Sequence, residues 1–265
     1  MTTTLETLTS TFERDGDATI YTITDDWLQG RAAFGGLVAT LGVMAARHLA
    51  PRDRRLRALH SSFVRPALPG PVRFESAMER DGRNLTQIRA IGYQEERRVA
   101  TTRAIFGLPL DGEDRLAPPP RPDAPPPEDL DEMPHMAGAM PAFLQHFAFR
   151  WVRGGLPFSG STETESLIWL RAKDGDIGDE ALSVLFSDAI PSPAIAGFTE
   201  PARSSTVAWS VTLFDPTPGV DVTGWWLIHA RLTALTGGYG HHVTTLWTPE
   251  GRPAAVSEQT LAVYP

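Results

Sequence analysis

Apolar and polar positions change period several times along the chain, and those changes mark out its elements. ATIYTIT at 18–24 alternates as a strand does. Phe34-Gly35-Gly36 leads into LVATLGVMAARHLA, apolar on most sides and stopped by Pro51, the pattern of a helix buried all round. Four strand-like runs follow, near 57–65, 72–80, 84–93 and 97–108, and Asp81-Gly82 between the second and third is a dipeptide that two-residue hairpin turns favour. The same order returns later. Strands are expected near 144–151 and 164–172, then a helix from Asp179 to Ile190 stopped by Pro191, then strands near 205–214, 225–234, 241–248 and 253–264. SSFVRPALPGPVRFESAM lines up with WSVTLFDPTPGVDVTGWWLI, and RRVATTRAIF with PAAVSEQTLAV, so the repeat reads as an internal duplication. It predicts an α+β fold of two β-α-β-β-β-β units, with antiparallel sheets each wrapped around a central apolar helix.

Composition alters this picture between the repeats. Seven of the ten residues from Pro118 to Pro127 are proline, which can neither pair into a sheet nor continue a helix, so this stretch should run extended. The expected division is therefore a first unit at 1–110, an acidic proline-rich linker at 111–135 and a second unit at 136–265. The chain carries 32 acidic and 24 basic residues, a net charge of −8. Residues 111–132 alone hold eight acidic and two basic groups, so −6 belongs to the linker. The folded flanks are close to neutral, which leaves room for a polyanionic ligand but gives nucleic acid no basic track to follow.

There is no cysteine, which removes disulfides, thiolate metal ligands and a cysteine nucleophile together and fits a cytoplasmic protein. No run of eighteen apolar residues suggests a membrane span. Motifs of the serine-hydrolase elbow, the phosphate loop, the dinucleotide fold and the zinc proteases are all missing. His241 and His242 are adjacent and would face opposite sides of a strand, so no metal site is expected.

Four positions could carry chemistry. Asp188 falls in the last turn of the second expected helix, where the helix dipole disfavours a carboxylate, and it follows the apolar Val184-Leu185-Phe186. It reads either as an exposed aspartate at a helix end or as a general base made more basic by desolvation. Thr206 opens the small polar face of a strand in which Val207, Trp209, Val211 and Leu213 share the other face. Gln259 shares a face with Ser257, Leu261 and Val263, where an amide needs partners, because an unpaired buried one costs about 1–3 kcal/mol. Gly35-Gly36 at a helix start either permits close packing or presents N–H groups to developing negative charge.

HSSFVRP at 60–66, RDGRNLTQIRAI at 80–91 and the FGG helix resemble the first half of the acyl-CoA thioesterase II (TesB-like) double-hotdog family. FSDAIPSP at 186–193, STVAWSVTLF at 205–214 and AVSEQ at 255–259 resemble its second half. The resemblance implies a double hotdog that hydrolyses an acyl-CoA or similar acyl thioester to free acid and thiol by water attack, with no cofactor. It implies that Asp188, Thr206 and Gln259 hold and polarise the water, and that Gly35 or Gly36 binds the oxyanion. His60, in HSSFVRP, would be a substrate-side residue, and Phe34, Trp209, Trp225 and Trp226 could line an acyl slot. A homo-oligomer, dimer or higher, and a place in lipid metabolism are further implications. The alternative is a non-catalytic acyl- or acyl-CoA-binding hotdog protein.

Overall fold

The computed structural model describes residues 2–110, 116–214 and 220–264. The start of the expected linker at 111–115 and the 215–219 portion of the second duplicated segment lie outside them.

An N-terminal helix α1 (Leu5–Ser10) is followed by strands β1 (Phe12–Asp15) and β2 (Ala18–Ile23), a two-residue ladder of β3 (Leu28–Gln29) and β4 (Ala32–Ala33), and helix α2 (Gly35–Arg47). Four strands complete the first flank: β5 (Arg55–Phe63), β6 (Gly70–Asp81), β7 (Leu85–Gln94) and β8 (Arg97–Gly107). The second flank runs β9 (Phe147–Arg153), β10 (Glu165–Ala172), α3 (Asp179–Phe186), α4 (Pro193–Ala196), β11 (Arg203–Leu213), β12 (Trp226–Thr236), β13 (Tyr239–Trp247) and β14 (Pro253–Tyr264). The long elements fall where periodicity places them; α1, β1 and the β3–β4 ladder are additions too short to show a period.

Twelve strands form one sheet in the order β1-β2-β6-β7-β8-β5-β11-β14-β13-β12-β10-β9, and its ladders are antiparallel. This differs from the expectation of separate sheets. Strands β5 and β11 pair directly, Trp209 opposite Ser61 and Ser210 opposite His60, so each covers what would be the other's open edge.

Both long helices lie on the inner face. Gly36 to Val43, with Ala45 and Ala46, are buried in α2, which packs on β6, β7 and β8 and against α3. Burying Leu37, Val38, Leu41 and Val43 stabilises this arrangement by about 1.5–3 kcal/mol each. The helix pair is also cross-linked by charge. The acidic first turn of α3, Asp179 and Glu180, meets Arg47 in the last turn of α2 and Arg55 on β5, with Arg55 Nε 3.1 Å from Glu180. Anions at a helix start and a cation at a helix end both complement the dipoles.

Three local expectations change. Strand β6 continues through Asp81, and Gly82 N–H donates to the Leu85 carbonyl at 2.8 Å, so Arg83-Asn84 rather than Asp81-Gly82 make the turn. Helix α3 ends at Phe186, capped by Ser187, four residues before Ile190. The proline stretch is not a free tether. Trp169 Nε1 donates to the Pro125 carbonyl at 2.9 Å and Trp247 Nε1 to the Pro119 carbonyl at 3.1 Å, while Ala124 and Leu130 pack on an outer-face cluster of Leu167, Trp169, Leu227 and Trp247. Proline carbonyls have no ladder partner and are strong acceptors, so indole N–H groups bind the strap to the sheet.

Candidate active site

Asp188 lies two residues beyond α3, in a turn where its N–H meets the Leu185 carbonyl at 3.4 Å. The helix end that governs its carboxylate is therefore not the C-terminus of α3 but the N-terminus of α2. The Gly36 N–H donates to the Asp188 carboxylate, and a Cβ placed on Gly35 would stand 3.0 Å from Asp188 Oδ2. Glycine is needed here because the carboxylate approaches the helix start closely.

Gln259 supplies the next link. It is buried on β14, its Nε2 donates to Asp188 Oδ1 at 2.6 Å, and its Oε1 accepts from Thr206 Oγ1 at 3.2 Å. Both ends of the amide are engaged, which fixes its orientation. Burial raises the Asp188 pKa from the ordinary 3.8 to about 6, against the lowering effect of the Gln259 and Gly36 hydrogen bonds. Asp188 as a whole residue is half-buried.

Strict alternation along β11 would turn Thr206 away from Gln259. The register, however, slips between Thr206 and Ala208: Thr206 pairs with Leu261, and Ala208 with Thr260. Val207 is the extra residue and is exposed, whereas Trp209, Val211 and Leu213 stay buried. This bulge brings Thr206 onto the inner face beside Gln259. Periodicity cannot reveal it, because one inserted residue exchanges the two faces.

The site is built from both flanks. Asp188, Thr206 and Gln259 come from the second; Gly35, Gly36, Phe34 and Phe63 come from the first, the Phe63 ring lying 3.6 Å from the Cβ position of Gly35. Phe34 is buried and stacks on Phe143, with centroids 4.0 Å apart. Phe63 lies within HSSFVRP, one of the stretches that carry the resemblance, without being singled out there, and Phe143 stands in no sequence pattern that distinguishes it from core.

The other expected residues divide between the inner and outer faces of the sheet. His60 pairs with Ser210 across β5 and β11, its Nδ1 2.9 Å from Ser210 Oγ, and is exposed on the outer face, opposite to the face that carries Gln259. Trp209 is the cross-strand partner of Gln259 and shares its inner face, fully buried beside the site, whereas Trp226 is a core residue edge-on to Phe186 at 5.6 Å. Trp225 lies on the outer side, with Arg150 and Arg171 at 4.8 and 4.7 Å from its ring centre.

This architecture is a hot dog fold. A hot-dog protein of unknown function from Alicyclobacillus acidocaldarius is 22% identical, with 97% of both chains covered and a TM-score of 0.87. The tesB protein of Mycobacterium avium subs. paratuberculosis is 20% identical over 97% of both chains, with a TM-score of 0.80, and an acyl-CoA thioesterase II from Mycobacterium marinum is 18% identical over 96% of both, with a TM-score of 0.76. No functionally curated protein matches in sequence. Residues 23–107 match the acyl-CoA thioesterase N-terminal domain, and residues 122–263 the acyl-CoA thioesterase C-terminal domain. The chain belongs to the acyl-CoA thioesterase family and is a thioester hydrolase; membership lends no support to a binding-only role.

Proposed function

We propose that this enzyme hydrolyses acyl-CoA by direct attack of a water molecule that Asp188 deprotonates. The observation that carries the reading is the chain of hydrogen bonds from Thr206 through Gln259 to Asp188 at the start of α2. Thr206 spends its proton on Gln259, so its oxygen is left as an acceptor. A water bound there can donate one hydrogen to Asp188 and the other to Thr206, which leaves an oxygen lone pair free for the thioester carbonyl. As the carbon–oxygen bond forms, the proton passes to Asp188. The tetrahedral oxyanion then collapses, the carbon–sulfur bond breaks, and the departing CoA thiolate takes that proton. Because the Gly36 N–H is held by Asp188, Gly35 is the oxyanion donor in this scheme. The scheme calls on no metal or redox cofactor.

The sheet order supports the reading of two hotdog units at 1–110 and 136–265 joined by 111–135. Matching strand–helix–four-strand series are β2, α2, β5 to β8 and β10, α3, β11 to β14, and they meet as mirror-ordered halves at β5–β11. We place the enzyme in lipid metabolism, in the cytoplasm, as a homo-oligomer; the cysteine-free composition fits that compartment. No helix among the described residues is long and apolar enough to cross a membrane.

Free-thiol release from a panel of acyl-CoAs tests the assignment. Asp188→Asn should lower kcat by about 100- to 10,000-fold with folding intact, the range that general-base removal produces. Wild-type turnover in that variant would overturn the role of Asp188.

A further inference from the structure

Gln259 has a neighbour that the mechanism does not use. On β13, His242 is its direct cross-strand partner, so the two side chains share the inner face, and His242 is 5% exposed. Its Nδ1 lies 2.9 Å from Ser192 Oγ. Ser192 in turn caps α4, its Oγ accepting from Ala194 N–H at 3.3 Å, and the same hydroxyl hydrogen-bonds to the imidazole, with donor and acceptor set by the His242 tautomer. The loop that follows α3 is therefore tied to the sheet twice, four residues apart: Asp188 by Gln259, and Ser192 by His242. Its other end is held by α3, through Ser187 and Asp188.

We propose that His242 is a positioning residue of the thioesterase, which sets Asp188 against Gln259 by fixing the far end of the Asp188 loop through Ser192. The proposal rests on the reading of Asp188 as the general base. Burial keeps the imidazole neutral, so the tie does not titrate with the base it positions. A displacement of the order of 1 Å in a reacting group costs about a hundredfold in rate, and the tie acts on placement rather than on binding.

The experiment compares His242→Leu, His242→Asn and Ser192→Ala with wild type in acyl-CoA hydrolysis, with thermal unfolding confirming that each variant folds. Leucine keeps the bulk and loses the hydrogen-bonding nitrogen; asparagine places an amide, able to donate or accept, near where Nδ1 stood. The expected result is a fall of about ten- to a hundredfold in kcat for His242→Leu with KM within twofold, recovery to within about threefold for His242→Asn, and a His242→Leu/Ser192→Ala double variant no worse than the poorer single one. Wild-type kcat in His242→Leu, failure of asparagine to recover a loss, or losses that multiply in the double variant would each overturn the proposal. Asp188→Asn in the same assay separates the two claims: if it is inactive while His242→Leu is not, only the positioning role fails, and if it is active, the general-base reading fails.

Discussion

A carboxylate that ionises near pH 6 puts turnover on a titration curve. As the proposed general base, Asp188 would work only when ionised, so kcat/KM should rise with pH and reach half its plateau near pH 6; a profile flat between pH 5 and 7 would contradict this. The same raised value has a cost in stability. The folded state holds the proton more tightly than the unfolded chain, whose aspartate ionises near 3.8, so this contribution is present below about pH 4 and lost as pH rises through about 6. Asp188→Asn escapes that loss. Urea unfolding should show the variant and wild type converging near pH 4 and the variant more stable by up to about 3 kcal/mol at pH 7.5. At this scale the sequence is informative for Gln259, because an amide among apolar neighbours announces a need for partners. It misleads on the face of Thr206, which depends on the bulge at Val207, and on His60, whose strand parity is set by pairing with β11.

Among the elements, the turn joining β7 to β8 shows how tertiary context overrides local preference. Gln94 pairs with Arg97, and Glu95 and Glu96 form the two-residue loop at φ 46° and 61°. Two glutamates in the left-handed region are strained, and Asn-Gly suits such a loop far better. Replacing Glu95-Glu96 by Asn-Gly should raise stability by about 1 kcal/mol and the melting temperature by about 2–4 °C, without changing kcat. A lower melting temperature would mean that the glutamates make compensating contacts. The longer elements are legible because each buries a continuous apolar set: α2 on nearly every side, β10 on both faces, and β12 on both faces at Trp226 to Ile228. Their ends are less so. Helix α3 stops before Pro191 demands it, since Asp188 and Ser192 are engaged from the sheet and from α2, and these partners lie far away in sequence.

For the whole molecule, the order of strands and helices in the two flanks can be read from the sequence, but not that their strands join in one sheet. Fusion requires β5 and β11 to find each other across about 150 residues, a pairing that no local pattern records. Residues 1–110 expressed alone would leave β5 as a nine-residue open edge and should aggregate, whereas size-exclusion chromatography of the full chain should show a discrete species. A monodisperse, folded 1–110 fragment would show that the seam is dispensable. The strap is equally hidden, because its proline content describes the backbone and not the indoles waiting on the outer face.

The seam has a further consequence in the count of sites. Around it Trp209 pairs with Gln259 and Ser61 with Thr102, so Thr102 occupies in the first flank the place that Gln259 holds in the second. There the hydroxyls of Ser61 and Thr102 bind one another, 2.9 Å apart. In the proposed mechanism the second flank supplies the proton-transfer groups and the first lends a helix terminus. The stoichiometry that the proposed mechanism predicts is one acyl group hydrolysed at one place per polypeptide, however many polypeptides assemble.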